Sequence, residues 1–593
     1  MTTPAWLEKT AGPLILLALV LTGGCGGGQS GSQQQPPPPP VMTLGVLVPS
    51  YTVAGGGSLS ISLGGTGFTN SSVVQWNGVP VPTTFGTAEI LTATVASDLV
   101  ALPGTATITV TDPSSGAASN TQPFGIASPA AATAGVIQLI TVGTDGSPAN
   151  GNSLVGPSVN SDGRYVAFQS AATNLVSGPA SGYQDIYLRD TCLGASAPPN
   201  CMPSTIRISV TYDGSPTNGH SRDSSVSSDG RFVAFDSQAT DILPNTSICS
   251  DICVFLRDTC NGASAGCVPT TSLISAATDG AAVTGSSPWI SLGEEFIAFG
   301  SGATNVVAGG ASGLGDVYVL DTCFGAPAGC IPGNTLASVP SAGGQGSAVS
   351  YVPTISSTGR FVAFESWATN MVPNGAVAPG DYWRDTCIGA TPPCTPSTIR
   401  IDLTASGAQP NGSTFTAIPL PITADGRLVA FGSAATNLVS QNVNGKGNVY
   451  VRDTCTGAPA GCVPTTSLAS LANDGTVANC GSPSQGVSMS SDGRFVAFDS
   501  IATNLVPGDG FPACSFEDVF VRDTCFGVTT GCVPSTVRVS VTNQPNPETP
   551  GFSISGYPAI SGDGHYIVFL SASTNFFAGT NGNQMVFLAK TGF

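Results

Sequence analysis

SDGRYVAFQSAATNLV, Ser161 to Val176, followed by DIYLRDTC, Asp185 to Cys192, decides the fold. Both runs recur, with drift, to the end of the chain. The glycine after the turn aspartate falls at Gly163, Gly230, Gly293, Gly359, Gly426, Gly493 and Gly564, seven copies at intervals of 63 to 71 residues. Self-similarity at a fixed period marks a repeat architecture. The first copy carries four short β-type runs: PSVN (Pro157 to Asn160), RYVAFQS (Arg164 to Ser170), DIYLRDT (Asp185 to Thr191) and TIRISV (Thr205 to Val210). Asp162-Gly163 between the first two is a hairpin signal, because a type I′ turn needs positive φ at both central residues.

The runs are rich in Val, Ile, Tyr and Phe and show no helical period. Four antiparallel strands cannot bury both faces alone, so the units must stack, and radial stacking gives a β-propeller. The seventh copy has only three runs, PAIS (Pro558 to Ser561), HYIVFLS (His565 to Ser571) and QMVFLAK (Gln584 to Lys590). An unmatched run, VIQLITV (Val136 to Val142), precedes the first copy and aligns with TIRISV. This N-terminal strand is expected to complete the last blade and leave it no unpaired edge.

The repeat resembles the TolB-type, WD-repeat-like propeller repeats of bacterial envelope proteins. The residues that carry the likeness are SDGRYVAF, SDGRFVAF (Ser228 to Phe235 and Ser491 to Phe498) and the runs DIYLRD, DVYVLD and DVFVRD. It spans 136–593 and implies a seven-bladed β-propeller. It implies no particular activity, since such folds serve many roles.

Residues 1–24 read as an export signal: Lys9, then an apolar run from Pro13 to Thr22, shorter than the roughly 20 residues of a spanning helix. LTGGC, ending at Cys25, looks like a bacterial lipoprotein signal, which implies lipid attachment at Cys25. Residues 25–40 form a tether rich in Gly, Gln and Pro, flexible and then stiff. Residues 41–127 carry SLSISLGGTGF, VVQWNGVPV, LTATV and TATITVTDP, strand-length runs with frequent turn signals that suit an immunoglobulin-like sandwich. The order GTGF, VQWNG, LTATV, GTATITV and SNTQPF resembles IPT/TIG domains, which serve as spacers or interaction modules. Trp76 is expected in the core. Residues 128–135 read as a linker. The expected fold is therefore all-β: an immunoglobulin-like sandwich, then a seven-bladed propeller closed by an N-terminal strand.

Charged residues make up only 9% of the 593, and the net charge is -18, with no basic stripe to displace counterions from phosphates. Nucleic acid is excluded as a partner on that ground. Of 17 cysteines, six pairs occupy one repeat position: Cys192/Cys201, Cys260/Cys267, Cys323/Cys330, Cys387/Cys394, Cys455/Cys462 and Cys525/Cys532. Each lies between the third and fourth strands, and six disulfides are expected. Cys249/Cys253 and Cys480/Cys514 each fall within one blade and make two more bridges plausible. Zinc competes weakly, because the spacings are not C-x₂-C and the only histidines are His220 and His565. Disulfides imply an oxidising compartment.

One end of each blade has short turns. The other carries longer connections, such as Thr144 to Ser153, Thr211 to Ser221 and Val506 to Glu517, and a ligand site is expected on that loop-rich face. Repeated residues read as structural: Asn174, Asp241, Asn305, Asn370, Asn437, Asn504 and Asn575 as caps of their own loops, and Arg189-Asp190 with its copies as a pair. Departures from the repeat are better site candidates. His220, Arg222 and Asp223 lie near the mouth, without a nucleophile motif. Glu294 and Glu295 replace the turn residues in copy three, and as strand neighbours they would face opposite ways. Trp289 falls where other copies have Val226, Ile355 or Ile422 and reads as core; Trp367 could be exposed. No cofactor is expected. Related repeats often carry an acidic loop before the third strand, so calcium is entertained at Asp509, Glu517 and Asp518, but not at Gln441 to Asn448, which has no carboxylate. The leading reading is a non-catalytic, lipid-anchored envelope protein, periplasmic or surface-exposed, binding protein or glycan and touching membrane only through its anchor. The alternatives are a propeller enzyme acting on polysaccharide and a calcium-dependent adhesion protein.

Overall fold

The computed structural model describes residues 42–541 and 555–593, apart from 49–50, 54–57, 102–103, 128–136, 200, 245–250, 310, 327–328, 374, 376–378, 416–418, 444, 483–485, 508–513, 515, 575, 577–579 and 581. The export signal, Cys25, the tether, the linker, Cys249, Asp509 and Asn575 lie outside the described residues. The fold is all-β and propeller-like, and no helix among the described residues is long and apolar enough to cross a membrane.

Residues 42–127 form two sheets. One runs Thr43–Val48, Leu59–Thr66, Ile90–Val95, Thr83–Thr87; the other joins Tyr51–Val53, Gln122–Ala127, Gly104–Asp112, Val73–Trp76 and Val79–Pro80. They share one core, in which Trp76 is 2% exposed and packs 4.9 Å from Phe124.

Among the described residues the repeat region forms seven antiparallel sheets. The first is Ser158–Val159, Tyr165–Ser170, Asp185–Asp190 and Ser204–Arg207, and its copies follow in chain order. In the fifth sheet the first strand is reduced to isolated bridges, Thr414 to Ser433 and Ile422 to Val429. The last sheet takes Ile137–Leu139 as its outer strand, paired antiparallel with Met585–Lys590, and Ile140 N–H continues the ladder to Val586 O at 2.9 Å.

Alternate residues of each second strand bury into the seams on either side, as the strand period of two requires. In the second sheet Val233 and Phe235 pack on the first sheet's Ile186 and Leu188, while Phe232 and Ala234 pack on Ile297 and Phe299 of the third. Equivalent seams join sheets three to four, four to five, five to six and six to seven. A further one joins Val568 and Leu570 of the last sheet to Val166 and Phe168 of the first. The series of seams returns to its starting sheet.

The hairpin turn shows why glycine is needed there. Gly230 has φ 78°, and a Cβ on it would lie 1.9 Å from the Tyr165 ring of the preceding sheet. Positive φ and close aromatic approach together exclude a side chain. The third copy corrects the alignment by one residue: the positive-φ position is Glu294 (φ 68°), not Gly293. Its carboxylate accepts the Ser228 hydroxyl at 2.9 Å and the Asp229 N–H at 3.2 Å, bonds that tie it to the hairpin turn of the preceding sheet. Glu295 lies outside the strand, which begins at Phe296. Trp289 consequently aligns with Ser225 and Thr354, each opposite the strand-two alanine, and Ile290 takes the place of Val226. A slip of one residue changes the face. Trp289 is half-buried: it lines the central cavity and packs against the edge of the seam core between the third and fourth sheets.

Two other expectations are corrected. Strand neighbours point to opposite faces, so Asp190 does not pair with Arg189. It takes a two-bond fork from Arg164 across the sheet, at 3.0 and 2.8 Å, and the fork recurs as Arg231–Asp258, Arg360–Asp385, Arg427–Asp453 and Arg494–Asp523. Asn370, Asn437 and Asn504 reach beyond their own loops. Asn504 Nδ2 donates to Val477 O at 2.9 Å and its Oδ1 accepts Asn479 N–H at 2.9 Å, clamping the long loop that enters the sheet; Asn370 and Asn437 do the same.

Disulfides join Cys192–Cys201, Cys260–Cys267, Cys323–Cys330, Cys387–Cys394, Cys455–Cys462, Cys525–Cys532 and Cys480–Cys514, and Cys253 is also disulfide-bonded.

Candidate functional site

A central cavity of about 410 Å³ is lined by the first strand, or the segment in its place, of all seven sheets. At its rim the first strands bulge. Ladder register shifts between Arg222 and Ser225, Ser286 and Trp289, Tyr351 and Thr354, and Gly556 and Ala559. At each bulge one non-glycine residue takes positive φ: Asp223 (49°), Ser287 (52°), Val352 (48°) and Tyr557 (55°). Such backbone costs about 1–3 kcal/mol per residue, most for a β-branched side chain such as Val352. Bulges re-aim side chains and gather beside binding sites. Trp289, Val352 and Tyr557 thus bring an apolar, aromatic surface to the cavity, and Asp223 lines it from the second sheet, next to that of Trp289.

Beneath this rim three alternate sheets bury a carboxylate near the end of the second strand: Asp236, Glu365 and Asp499. The other four sheets have Gln169, Gly300, Gly432 and Leu570 there. Asp236 accepts the Arg222 guanidinium at 3.2 Å and the Ser287 N–H of the next sheet's bulge at 3.3 Å. Asp499 accepts Gly486 N–H at 3.3 Å. Tyr351 Oη donates to Glu365 at 2.7 Å. Each acid has a second carboxyl beside it, respectively Asp223, Asp381 and Glu517.

Of the three sequence candidates, the structure brings Arg222 and Asp223 together with Asp236, a partner that sequence spacing did not reveal. His220 stands apart on the surface, where its Nδ1 accepts Gln184 N–H at 3.1 Å and its ring meets Tyr183 edge-on at 5.1 Å. Of the calcium candidates within the described residues, Asp518 turns to Arg538 at 3.5 Å and Ser540 at 2.6 Å, while Glu517 turns to Asp499. Trp367 is 44% exposed and donates from Nε1 to Tyr351 Oη at 2.9 Å. The groups of one aspartate and two cysteines at the outer turns hold no metal site, because the sulfurs are bonded to each other.

Burial, and then the nearby Asp499, push the Glu517 carboxyl up to about 9; burial and then Asp223 push Asp236 upward too. An acid so raised keeps its proton where the unfolded chain has lost it. Its stabilisation is complete below the unfolded value of 4.5 and is lost as pH climbs towards about 9. Each pH unit crossed costs up to about 1.4 kcal/mol. The chain is expected to melt lower at about pH 8 than at about pH 5, and Glu517→Gln to flatten that slope. Calorimetry across the range checks it; an unaltered slope in the variant would mean Glu517 does not share a proton with Asp499.

No family model and no curated protein matches the chain. Among solved structures, similarity is found to the tricorn protease, with 11% identity and a TM-score of 0.31 over 90% of this chain and 46% of that one. An auxiliary nutrient binding protein from Bacteroides thetaiotaomicron gives 9% identity and a TM-score of 0.31, over 93% of this chain and 98% of that one. Trypanosoma rangeli sialidase in complex with sialic acid gives 8% and 0.29, over 74% and 54%. The chain spans about half the length of the first of these, and likeness at this level carries nothing about activity. The chain's own geometry defines an all-β, propeller-like protein with a recessed, partly aromatic central mouth.

Proposed function

We propose that this protein is a non-catalytic binding protein of a bacterial cell envelope. In this reading the seven sheets are blades of a propeller closed by the strand Ile137–Leu139, and residues 41–127 are an IPT/TIG-like immunoglobulin sandwich. Cys25 carries a lipid, and the tether holds the domains off the membrane. The disulfides support an oxidising compartment. The ligand, protein or glycan, engages the loop-rich face over the central cavity.

The observation that carries this reading is the cavity rim: four strained bulges recur there and aim Val352, Tyr557 and the neighbouring Trp289 into one recess. Backbone strain repeated in four copies is a feature to be explained by what it presents. The enzyme reading has less support. Paired carboxylates do occur, but Asp499 and Glu517 lie within hydrogen-bonding reach. Glycosidases need about 5 Å or more between theirs.

The test is affinity capture on the mature chain, with solubilised envelope protein and glycan both offered. Trp289→Ala and Tyr557→Ala are expected to weaken the captured ligand at least about tenfold, as aromatic anchors do. A ligand held equally by wild type and both variants would overturn the site. Shortened glycan chains in the eluate would overturn the non-catalytic assignment.

A further inference from the structure

The fourth sheet carries a carboxylate that the repeat does not call for. Asp381 lies on the third strand, directly opposite Glu365. The six other sheets have Ile186, Val254, Val317, Val449, Val519 and Val586 at that position. An apolar residue there packs into the seam, as Ile186 does. Asp381 is 1% exposed, and neither of its oxygens has a hydrogen-bond partner. Glu365 beside it is also 1% exposed. Burying an unpaired carboxyl costs several kcal/mol. Valine would pack without that cost, so the aspartate needs a reason.

The nearest cation does not supply one. In the first and sixth sheets a fourth-strand arginine pairs with the carboxylate that opens the third strand, Arg207 with Asp185 at 3.3 Å and Arg538 with Asp518 at 3.5 Å. In the fourth sheet that opening residue is Gly380, where a Cβ would lie 2.9 Å from the Arg400 guanidinium carbon. The carboxylate has moved to Asp402, in the place of Ser209 and Ser540, and it takes both arms of Arg400 at 2.5 and 2.7 Å. Arg400 is thus answered by Asp402. Glu365 and Asp381 face one another in the seam, two buried carboxyls on directly paired strand positions. A route reaches them from the surface: exposed Trp367 donates to Tyr351, and Tyr351 to Glu365.

We propose that Asp381 and Glu365 bind a hard divalent cation of the calcium class in the seam between the fourth and fifth sheets, entered past Tyr351 and Trp367. Two carboxylates offer up to four oxygens, the Tyr351 hydroxyl lies at hand, and water completes the set such ions take. The cation would supply the oxygens of Asp381 with the partner that no hydrogen-bond donor gives them. The site lies apart from the acidic loop of the sixth copy, and it stands whatever ligand the central mouth binds.

The experiment uses the full mature chain and terbium as a calcium stand-in, with emission excited through Trp367 and the nearby tyrosines. Terbium emission is expected to saturate, to be displaced by calcium, and calcium is expected to raise the melting temperature. Asp381→Val should weaken both responses at least tenfold, while the cation-free variant melts no lower than wild type, since valine is what the repeat provides. Asp381→Asn serves as a second, near-isosteric variant should valine disturb folding. Emission that neither variant alters would overturn the site. So would a cation-free Asp381→Val chain that melts well below wild type, which would make Asp381 a structural residue.

Discussion

A full-length chain carrying Ile137→Asp and Leu139→Asp is expected to lose cooperative melting and to associate. Both side chains are 2% exposed and lie in the seam between the sixth and last sheets, although their strand comes more than four hundred residues before the strand they pair with. Truncating one such side chain costs about 2–5 kcal/mol, and a buried unpaired charge costs more. Two together rival the roughly 5–15 kcal/mol by which a domain is stable at all. The damage also spreads. Met585–Lys590 would become a bare edge, open to pairing with another chain. Its inward side chains Val586 and Leu588 hold the seam to the first sheet, so that contact loosens as well. In repeat folds stability comes from each unit and its contacts with neighbours, and here one three-residue strand joins the two ends of the series. Calorimetry and size-exclusion chromatography read the result. A doubly substituted chain that still melted as a cooperative monomer within a few degrees of wild type would mean that the ring does not depend on this strand.

The parts of this structure legible in the sequence are those fixed by short-range geometry. Asp-Gly before an apolar run announces its hairpin, because the turn's backbone selects glycine over four residues. The strand runs, the cysteine spacing and the position of the unmatched N-terminal run were readable for the same reason. What the sequence hid depends on register between strands. Trp289 was misplaced because Gly293 offered itself as the turn glycine, while Glu294 takes the positive φ. Arg189 looked like the partner of Asp190, although a strand sends neighbours to opposite faces and Arg164 lies across the sheet. At the site, Arg222 and Asp223 were visible as departures from the repeat. Asp236 was not, because it sits inside an ordinary copy of the motif. Asp381 was hidden likewise: only the pairing of the fourth sheet shows that it occupies an apolar position.

Breaking the disulfide of the third sheet is expected to cost more than breaking the matching one in the fifth. Both bridges close loops of the same length, with a sequence separation of 7. Loop entropy alone assigns each about 2–3 kcal/mol. Both also hold their first cysteine at positive φ, 58° at Cys323 and 62° at Cys455, a conformation unfavourable for any side chain by about 1–2 kcal/mol. The difference lies beside them. In the fifth sheet the Arg427–Asp453 fork, at 2.9 and 2.7 Å, grips the residue two before Cys455, and Asp453 accepts the Cys455 N–H at 2.8 Å. The third sheet keeps the second bond, Asp321 to the Cys323 N–H at 2.8 Å, but has Glu295 where the arginine would be. Burial, and then the charge of Asp321, raise Glu295, so the fork is replaced by repulsion between like charges. Paired Cys323→Ser and Cys330→Ser should therefore leave that outer turn without a fork, held by the Asp321 bond and by Phe324 against Phe232 at 4.4 Å, whereas Cys455→Ser with Cys462→Ser leaves the fork in place. A charge-assisted two-bond fork contributes on the order of 1–3 kcal/mol, and that is the expected gap between the two variants in denaturant unfolding. Full reduction, which opens every staple at once, should lower the melting temperature by on the order of 10 °C or more. Equal losses from the two single-bridge variants would mean that the forks add nothing once the bridges are gone. Restoring arginine with Glu295→Arg in the third-sheet variant separates the cases, since it should recover stability only if the fork is what was missing.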